Sequence, residues 1–215
     1  MGVIFSFIFG YLLGGINPAY VIGRRNGFDI RQRGSGNAGA SNVIILKGKK
    51  IGTFVALFDI FKAYLAVVIA RHIAPTFFFS GELAGAAAIL GHIFPIGLKF
   101  RGGKGLACLG GVILALNWKM FIALLLSETI LLAITKYLCY VPITASVFFP
   151  ILHAYKLGSF TPIFIFLPIA ITMFFKHREN LQRIRSGEEI RINFLWNKDE
   201  ELARIGYSED NDNDE

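Results

Sequence analysis

Cysteine is scarce in this chain: two in 215 residues, Cys108 and Cys139, on separate segments. That excludes a disulfide framework and the paired spacing of a metal-binding fold. Charged residues are sparse at 17% and are missing from long stretches, whereas 54% of the residues are hydrophobic and 21 are phenylalanine. With a mean hydropathy of +0.55, a soluble core is hard to build. Several catalytic and binding signatures are also missing. Gly103 stands where a G-x-x-x-x-G-K-[ST] phosphate loop needs its lysine. None of the four histidines is followed by aspartate in the H-x-x-x-x-D arrangement of acyl-CoA acyltransferases, and there is no nucleophile elbow or metal-ligand cluster. The start, MGVIFS, lacks the basic region of a cleavable signal peptide. It meets the myristoylation pattern M-G-x-x-x-[ST] only by running into an apolar stretch, which makes the match accidental.

What is present is a series of apolar runs near the ~20 residues a bilayer requires. The first covers Val3 to Ile22, broken by Gly14-Gly15 and Asn17-Pro18, and a proline there predicts a segment packed inside the bundle. A long polar loop from Gly23 to Lys50 follows, then a second span from Ile51 to Ala70 and a third from Glu82 to Leu98. The run from Leu106 to Lys136 is too long for one crossing. A break at Asn117-Trp118-Lys119 leaves a fourth segment of about a dozen residues, short enough for a half-helix backed by protein. Phe121 to Thr135, Val141 to Tyr155 and Pro162 to Phe175 complete seven, and a five-span version discards or merges the short one. The fold class is therefore an all-α polytopic membrane bundle, one domain over residues 1–206 with an acidic tail over 207–215 that is expected to be disordered.

Charge orients the bundle. Seven lysines and arginines fall in residues 23–50, three in 99–104, one at Lys136 and seven from Lys176 onward, against Arg71, Lys119 and Lys156 on the other side. The positive-inside rule then predicts an outside N-terminus and a cytoplasmic C-terminus. It also reads the net charge of +7 as topology, with no nucleic-acid partner.

Three polar islands share the cytoplasmic face. In the first, Gly34, Gly36 and Gly39 satisfy G-x-G-x-x-G with Asp59 twenty residues on, yet no apolar strand precedes Gly34 and Asp59 lies in a span, so the dinucleotide reading fails. What remains is a glycine-rich loop with Ser35, Asn37, Ser41, Asn42 and flanking arginines, donors suited to phosphate oxygens. The second, Arg101-Gly102-Gly103-Lys104-Gly105, precedes a helix start, where turned N–H groups and a lysine favour an anion. The third runs from Lys176, with His177 a histidine among dense polar residues and a candidate proton acceptor. Asp59 and Lys62, spaced i, i+3, can pair within the second span.

Together the islands resemble the bacterial acyl-phosphate-dependent glycerol-3-phosphate acyltransferases, the PlsY family. The loop G-S-G-N-x-G-x-[TS]-N is at Gly34 to Asn42, G-H-x-F-P-x-x-L-x-F-[KR]-G-G-K-G at Gly91 to Gly105, and H-R-x-N-x-x-R with its closing glycine and glutamate at His177 to Glu188. The resemblance implies a multi-pass enzyme of the bacterial cell membrane that moves a fatty acyl group from acyl phosphate to glycerol 3-phosphate. Lysophosphatidate and phosphate would be released as the first step of phospholipid synthesis. It implies Ser35, His177 and Asn180 as important for activity, Gly102, Gly103 and Lys104 as the glycerol-3-phosphate site, and Glu188 as structural. Gly34, Gly36, Asn37, Ser41, Asn42 and Arg101 complete the expected phosphate contacts, with Asp59 and Lys62 as support. No cofactor and no metal are expected. Membrane lipid and an acyl-phosphate-producing enzyme are the expected partners.

One departure stands out. Two residues beyond Val43 the family carries an arginine, and here the position is Ile45, which removes a guanidinium from the phosphate neighbourhood. Lys47, one turn on, is the candidate replacement. The Ser41 and Cys108 positions, commonly threonine, are milder changes. A relative with another acceptor or weak activity, a transporter of a phosphorylated solute, and a noncatalytic lipid binder remain the competing readings. The lack of an internal repeat speaks against transport.

Overall fold

The computed structural model describes residues 1–206, so the acidic tail lies outside the described residues. Every apolar segment is helical, and the helices pack as one all-α membrane bundle without strands among the described residues. The first segment divides, as its glycines and proline predict, into α1 (Gly2–Gly14) and α2 (Pro18–Arg25). Asn17 caps α2 by accepting a 2.8 Å bond from the Tyr20 amide, and Pro18 occupies a first-turn position where no N–H is needed.

The loop from Gly23 to Lys50 is less open than its composition suggests. It contains a 3₁₀ turn (Ile30–Gln32) and a short helix, α3 (Ala40–Lys47), packed by Val43 and Leu46 onto Ile30 and Val55. Then come α4 (Lys49–Ile73), α5 (Ser80–Ile93) and, after a second 3₁₀ turn, α6 (Leu106–Leu116). α6 is as short as expected. Asn117 ends it and caps α7 (Trp118–Thr135) through a 3.2 Å bond from the Met120 amide. α8 (Tyr140–Leu157) and α9 (Thr161–Ser186) follow, and α10 (Lys198–Arg204) closes the described chain. By length and composition four segments can cross a membrane: 2–25, 49–73, 80–98 and 118–135.

Without a hydrophobic drive between helices inside lipid, close backbone approach has to hold the bundle. α1 and α5 meet this way: a Cβ at Gly14 would stand 2.0 Å from the Ala88 carbonyl oxygen, and one at Gly91 equally close to that of Tyr11. α4 and α6 meet likewise at Gly111, against the Ile60 carbonyl. Buried polar side chains add further ties. Glu128, the lone acid of α7, accepts from the Thr144 hydroxyl of α8. At the end of the bundle far from the glycine loops, Glu82 joins α5 to His153 of α8 (3.0 Å) and Arg71 of α4 (3.3 Å).

α9 matters most for the site. Its helix does not stop where the apolar run ends at Phe175 but continues through the third polar island to Ser186, and Gly187 (φ 81°) terminates it in the left-handed conformation. His177 and Asn180 are therefore fixed on a long helix, three residues apart on one face.

Candidate active site

The first loop is held from within. Asn42, fully buried, accepts from the Ser35 amide (2.8 Å) and donates to the carbonyls of Ile30 (2.8 Å) and Arg33 (3.0 Å). Gly34 (φ 59°) must be glycine, since a Cβ there would reach within 2.4 Å of the Asn42 oxygen. Asn17, in the α1–α2 break, donates to the Ala38 carbonyl at 2.9 Å and ties the loop down from below. Arg31 then joins this loop to the next. It grips Asp29 at 2.6–2.9 Å, lies over the Tyr20 ring, and donates to the Leu98 carbonyl at 2.7 Å. Its guanidinium holds the Asp29 carboxyl below the usual carboxylate range.

The second loop works differently. Gly102 N–H donates to the Ile93 carbonyl and Gly103 N–H to the His92 carbonyl, both at 3.1 Å. These amides cap the end of α5, so they do not form the anion-facing nest that three glycines around a lysine suggest. The glycines are needed for contact: a Cβ on Gly102 would stand 2.0 Å from the His92 carbonyl oxygen, and one on Gly103 2.1 Å from the His92 ring. Lys99 and Phe100 take left-handed backbone angles on the way in. What this loop offers an anion is the cationic side chains of Arg101 and Lys104.

The third motif receives that lysine. Lys104 Nζ donates to the Asn180 side-chain oxygen, Asn180 donates to Glu189, and Glu189 takes the Arg183 guanidinium at 2.8 Å. Burial lowers the Lys104 pKa, and the nearby Arg183 charge pushes the same way. His177, 4% exposed, has its Nδ1 2.7 Å from the Met173 carbonyl, which assigns the proton to Nδ1 and leaves Nε2 as the acceptor. Burial holds this imidazole at about 4, with the Lys104 charge adding to the effect. Glu188, expected to be structural, is exposed, and its carboxylate takes a hydrogen bond from the Ser186 hydroxyl at 2.9 Å. Glu189 does that work instead. Counting G-x-E from Gly187 lands on Glu189, so the signal was in the motif's own spacing.

These pieces surround one open cavity of about 540 Å³. Six cationic side chains (Arg31, Arg101, Lys104, Lys176, Arg178 and Arg183) and one carboxylate, Glu179, line it, with Ser35, Gly36, Asn37 and Gly102 between them. Phe94, Ile171, Thr172 and Phe175 form an apolar flank, and Lys176 lies over the Phe94 ring. Of the residues expected from sequence, Ser35, Gly36, Asn37, Arg101, Gly102 and Lys104 reach the wall. His177 and Asn180 stand behind Lys104; Gly34, Asn42 and Gly103 shape the loops. Ser41 and Lys47 are not on the wall, and the Lys47 ammonium lies over the Phe28 ring at 5.3 Å. Arg31, one of the first island's flanking arginines, is on the wall as a phosphate donor should be, whereas Lys176, Arg178 and Arg183 are wall residues to which the sequence assigns no role.

Asp59 and Lys62 pair at 2.6 Å, buried beneath both loops. With His92 and Cys108, Asp59 forms a group of metal-ligand character whose ligand atoms lie within 4.8 Å of one another. The Lys62 ammonium, 2.6 Å from Asp59 and 3.1 Å from His92 Nδ1, already supplies the positive charge there.

Comparison with known proteins identifies the family. Residues 4–187 match the family described as glycerol-3-phosphate acyltransferase. The chain is similar to proteins of that name from Prochlorococcus marinus strain MIT 9312 (38% identical, over 90% of this chain and 98% of the relative) and Mesorhizobium japonicum (36%, over 89% and 96%). Among solved structures it resembles crystal structures of PlsY, an integral membrane glycerol 3-phosphate acyltransferase. The glycerol 3-phosphate form gives a TM-score of 0.80 at 32% identity, covering 91% of this chain and 98% of the other. The lysophosphatidic acid form gives 0.76 at 32% identity, covering 89% and 95%.

Proposed function

This chain belongs to the glycerol-3-phosphate acyltransferase family, and from that premise we propose that it acylates glycerol 3-phosphate with acyl phosphate as the donor. The observation that carries the proposal is the cavity itself: six cations against one carboxylate, beside an apolar flank. Two phosphates brought together need that excess of positive charge, and an acyl chain needs an apolar exit into lipid. An acyl phosphate is a mixed anhydride, so no covalent enzyme intermediate is required.

In the proposed step a hydroxyl oxygen of glycerol 3-phosphate attacks the acyl carbonyl carbon. An ester C–O bond forms, the bond from carbonyl carbon to phosphate oxygen breaks, and its electron pair leaves on the phosphate. Lys104, Arg101 and Arg183 hold the acceptor's phosphate, while Ser35 and Asn37 face the donor across the cavity. Approximation and charge compensation supply most of the acceleration. The hydroxyl proton goes to His177 Nε2 or to the departing phosphate. Burial of His177, which holds it at about 4 and sets it behind Lys104, favours the phosphate as the final acceptor. The basic loops support a cytoplasmic active face in the bacterial cell membrane, within reach of a soluble acyl-phosphate-producing enzyme.

The test is an assay of purified protein with labelled glycerol 3-phosphate and either palmitoyl phosphate or palmitoyl-CoA. Lysophosphatidate formed from the acyl phosphate alone is the expected result. Equal product from palmitoyl-CoA would overturn the donor assignment. Activity that appears only in an Ile45→Arg variant would mark the native chain as redirected to another substrate.

A further inference from the structure

The Asp59–Lys62–His92 cluster lies outside the cavity, yet it touches what holds each loop. Lys62 Nζ donates to the Ile16 carbonyl at 2.5 Å. That carbonyl belongs to the α1–α2 break, at the negative end of α1, where a buried cation is favoured. The next residue, Asn17, is the one that bonds Ala38 of the first loop. The same ammonium lies 3.1 Å from His92 Nδ1. His92 in turn accepts the Gly103 amide on its carbonyl and carries the Gly103 α-carbon against its ring. One buried ammonium on α4 is thus a single residue from the tether of the first loop and a single side chain from the seat of the second. Asp59 supplies the counter-charge, and both members of the pair are 2% exposed.

We propose that Asp59, Lys62 and His92 are positioning residues that set the separation of the two phosphate-handling loops. This rests on the two-phosphate reading of the cavity and goes beyond it by naming what fixes the distance between the phosphates. Each loop is folded by its own bonds: the first by Asn42, the second by the end of α5. Loss of the cluster therefore leaves each loop able to bind its phosphate, but with the tie from Arg31 to the Leu98 carbonyl alone holding them, their separation shifts. Reactions driven by approximation are sensitive to this, since a misplacement of about 1 Å costs on the order of 100-fold in rate.

The experiment uses the double variant Asp59→Asn/Lys62→Met, which removes both charges together and leaves neither buried alone. Two readouts are taken. Steady-state acylation is expected to show kcat down on the order of 100-fold, with the KM for each substrate nearly unchanged. Nitroxide labels at Gln32→Cys and Lys99→Cys, both exposed loop positions, are expected to report a shifted or broadened inter-loop distance. The native Cys108 and Cys139 are buried and stay unlabelled. A normal kcat overturns the proposal whatever the labels show. So does a lowered kcat with an unchanged label distance, or an effect confined to one KM. Should the double variant not purify as folded protein, His92→Asn carries the same two readouts, because it removes the ring beneath Gly103 and keeps both charges. The label distance needs no turnover, so it stays readable even if acyl phosphate proves to be the wrong donor.

Discussion

The two glycine loops look alike in sequence and are built on opposite principles. In the first, glycine buys backbone angles: Gly34 and Gly36 have positive φ, and the loop curls around a buried asparagine side chain. In the second, Gly102 and Gly103 serve close approach, and their amides are spent on the end of α5. The first loop therefore presents polar groups of its own, Ser35 and Asn37, to the cavity. The second presents two cationic side chains, Arg101 and Lys104, from a rigid seat. A glycine-rich segment beside a lysine is thus no guarantee of an amide cradle, because whether the N–H groups are free depends on which helix end lies beneath them.

Side chains added to the glycines should separate the two designs most sharply. Gly103→Ala forces a methyl into the His92 ring, an overpacking that costs about 1–3 kcal/mol in stability. It should also abolish acylation, because Lys104 moves with the backbone. Gly36→Asn, by contrast, keeps a left-handed backbone that asparagine tolerates, and a Cβ there meets only the Arg31 carbonyl, at 3.5 Å. Its activity should stay within a few-fold of wild type. Thermal unfolding in detergent with parallel acylation assays checks both, and equal damage at the two positions would erase the distinction.

Next in size comes the lysine itself. Lys104→Ala removes a charged contact to substrate phosphate, an expected loss of roughly 1.5–3 kcal/mol. It should appear as a KM for glycerol 3-phosphate raised by more than tenfold; an unchanged KM would remove Lys104 from the site. On the first loop, Asn42→Ala strips three hydrogen bonds from buried backbone groups and should destabilise by about 1–3 kcal/mol. Its defect should be in folding and in both KM values, because no charge is lost.

His177 gives the comparison a pH dimension, since the second loop's lysine helps set its charge. Its pKa in the folded protein, about 4, lies below the ordinary 6.5. The unfolded chain therefore binds more protons between those values, and stability falls as pH drops from about 6.5 toward 4. Above pH 6.5 the term is constant. His177→Gln should flatten this acid slope, read as the melting temperature of the two proteins across pH 4–7. A wild-type slope retained in the variant would assign the effect to another group.

Much of the scaffold was legible because apolar runs, proline and asparagine–tryptophan breaks report helices directly. Asn117 was found as a break and proves to be a helix cap. α3 was missed since eight residues inside a polar loop carry too few turns to show a period, and its stability comes from packing on Ile30 and Val55. The site was legible as motifs but not as roles. No pattern says that Arg31 reaches a carbonyl 67 residues away, or that Gly102 and Gly103 amides face a helix end. Glu189 is legible in the G-x-E spacing of the third motif, one residue past Glu188.

The smallest expected effect concerns the arginine that Ile45 replaces. Lys47 could substitute only if its ammonium turned toward the cavity, and instead it sits 5.3 Å from the Phe28 ring centre, beside Arg33 on the same ring. A partly exposed cation over an aromatic face contributes about 0.5–1 kcal/mol. Lys47→Ala should therefore lower stability by no more than that and leave both KM values within twofold. The positive charge the cavity needs is already supplied by Arg31, which the first loop's Asp29 orients and the second loop's Leu98 carbonyl anchors. If Lys47→Ala instead raised the KM for acyl phosphate tenfold, the first loop would depend on a borrowed cation as the second depends on Lys104, and the contrast between them would shrink to geometry alone.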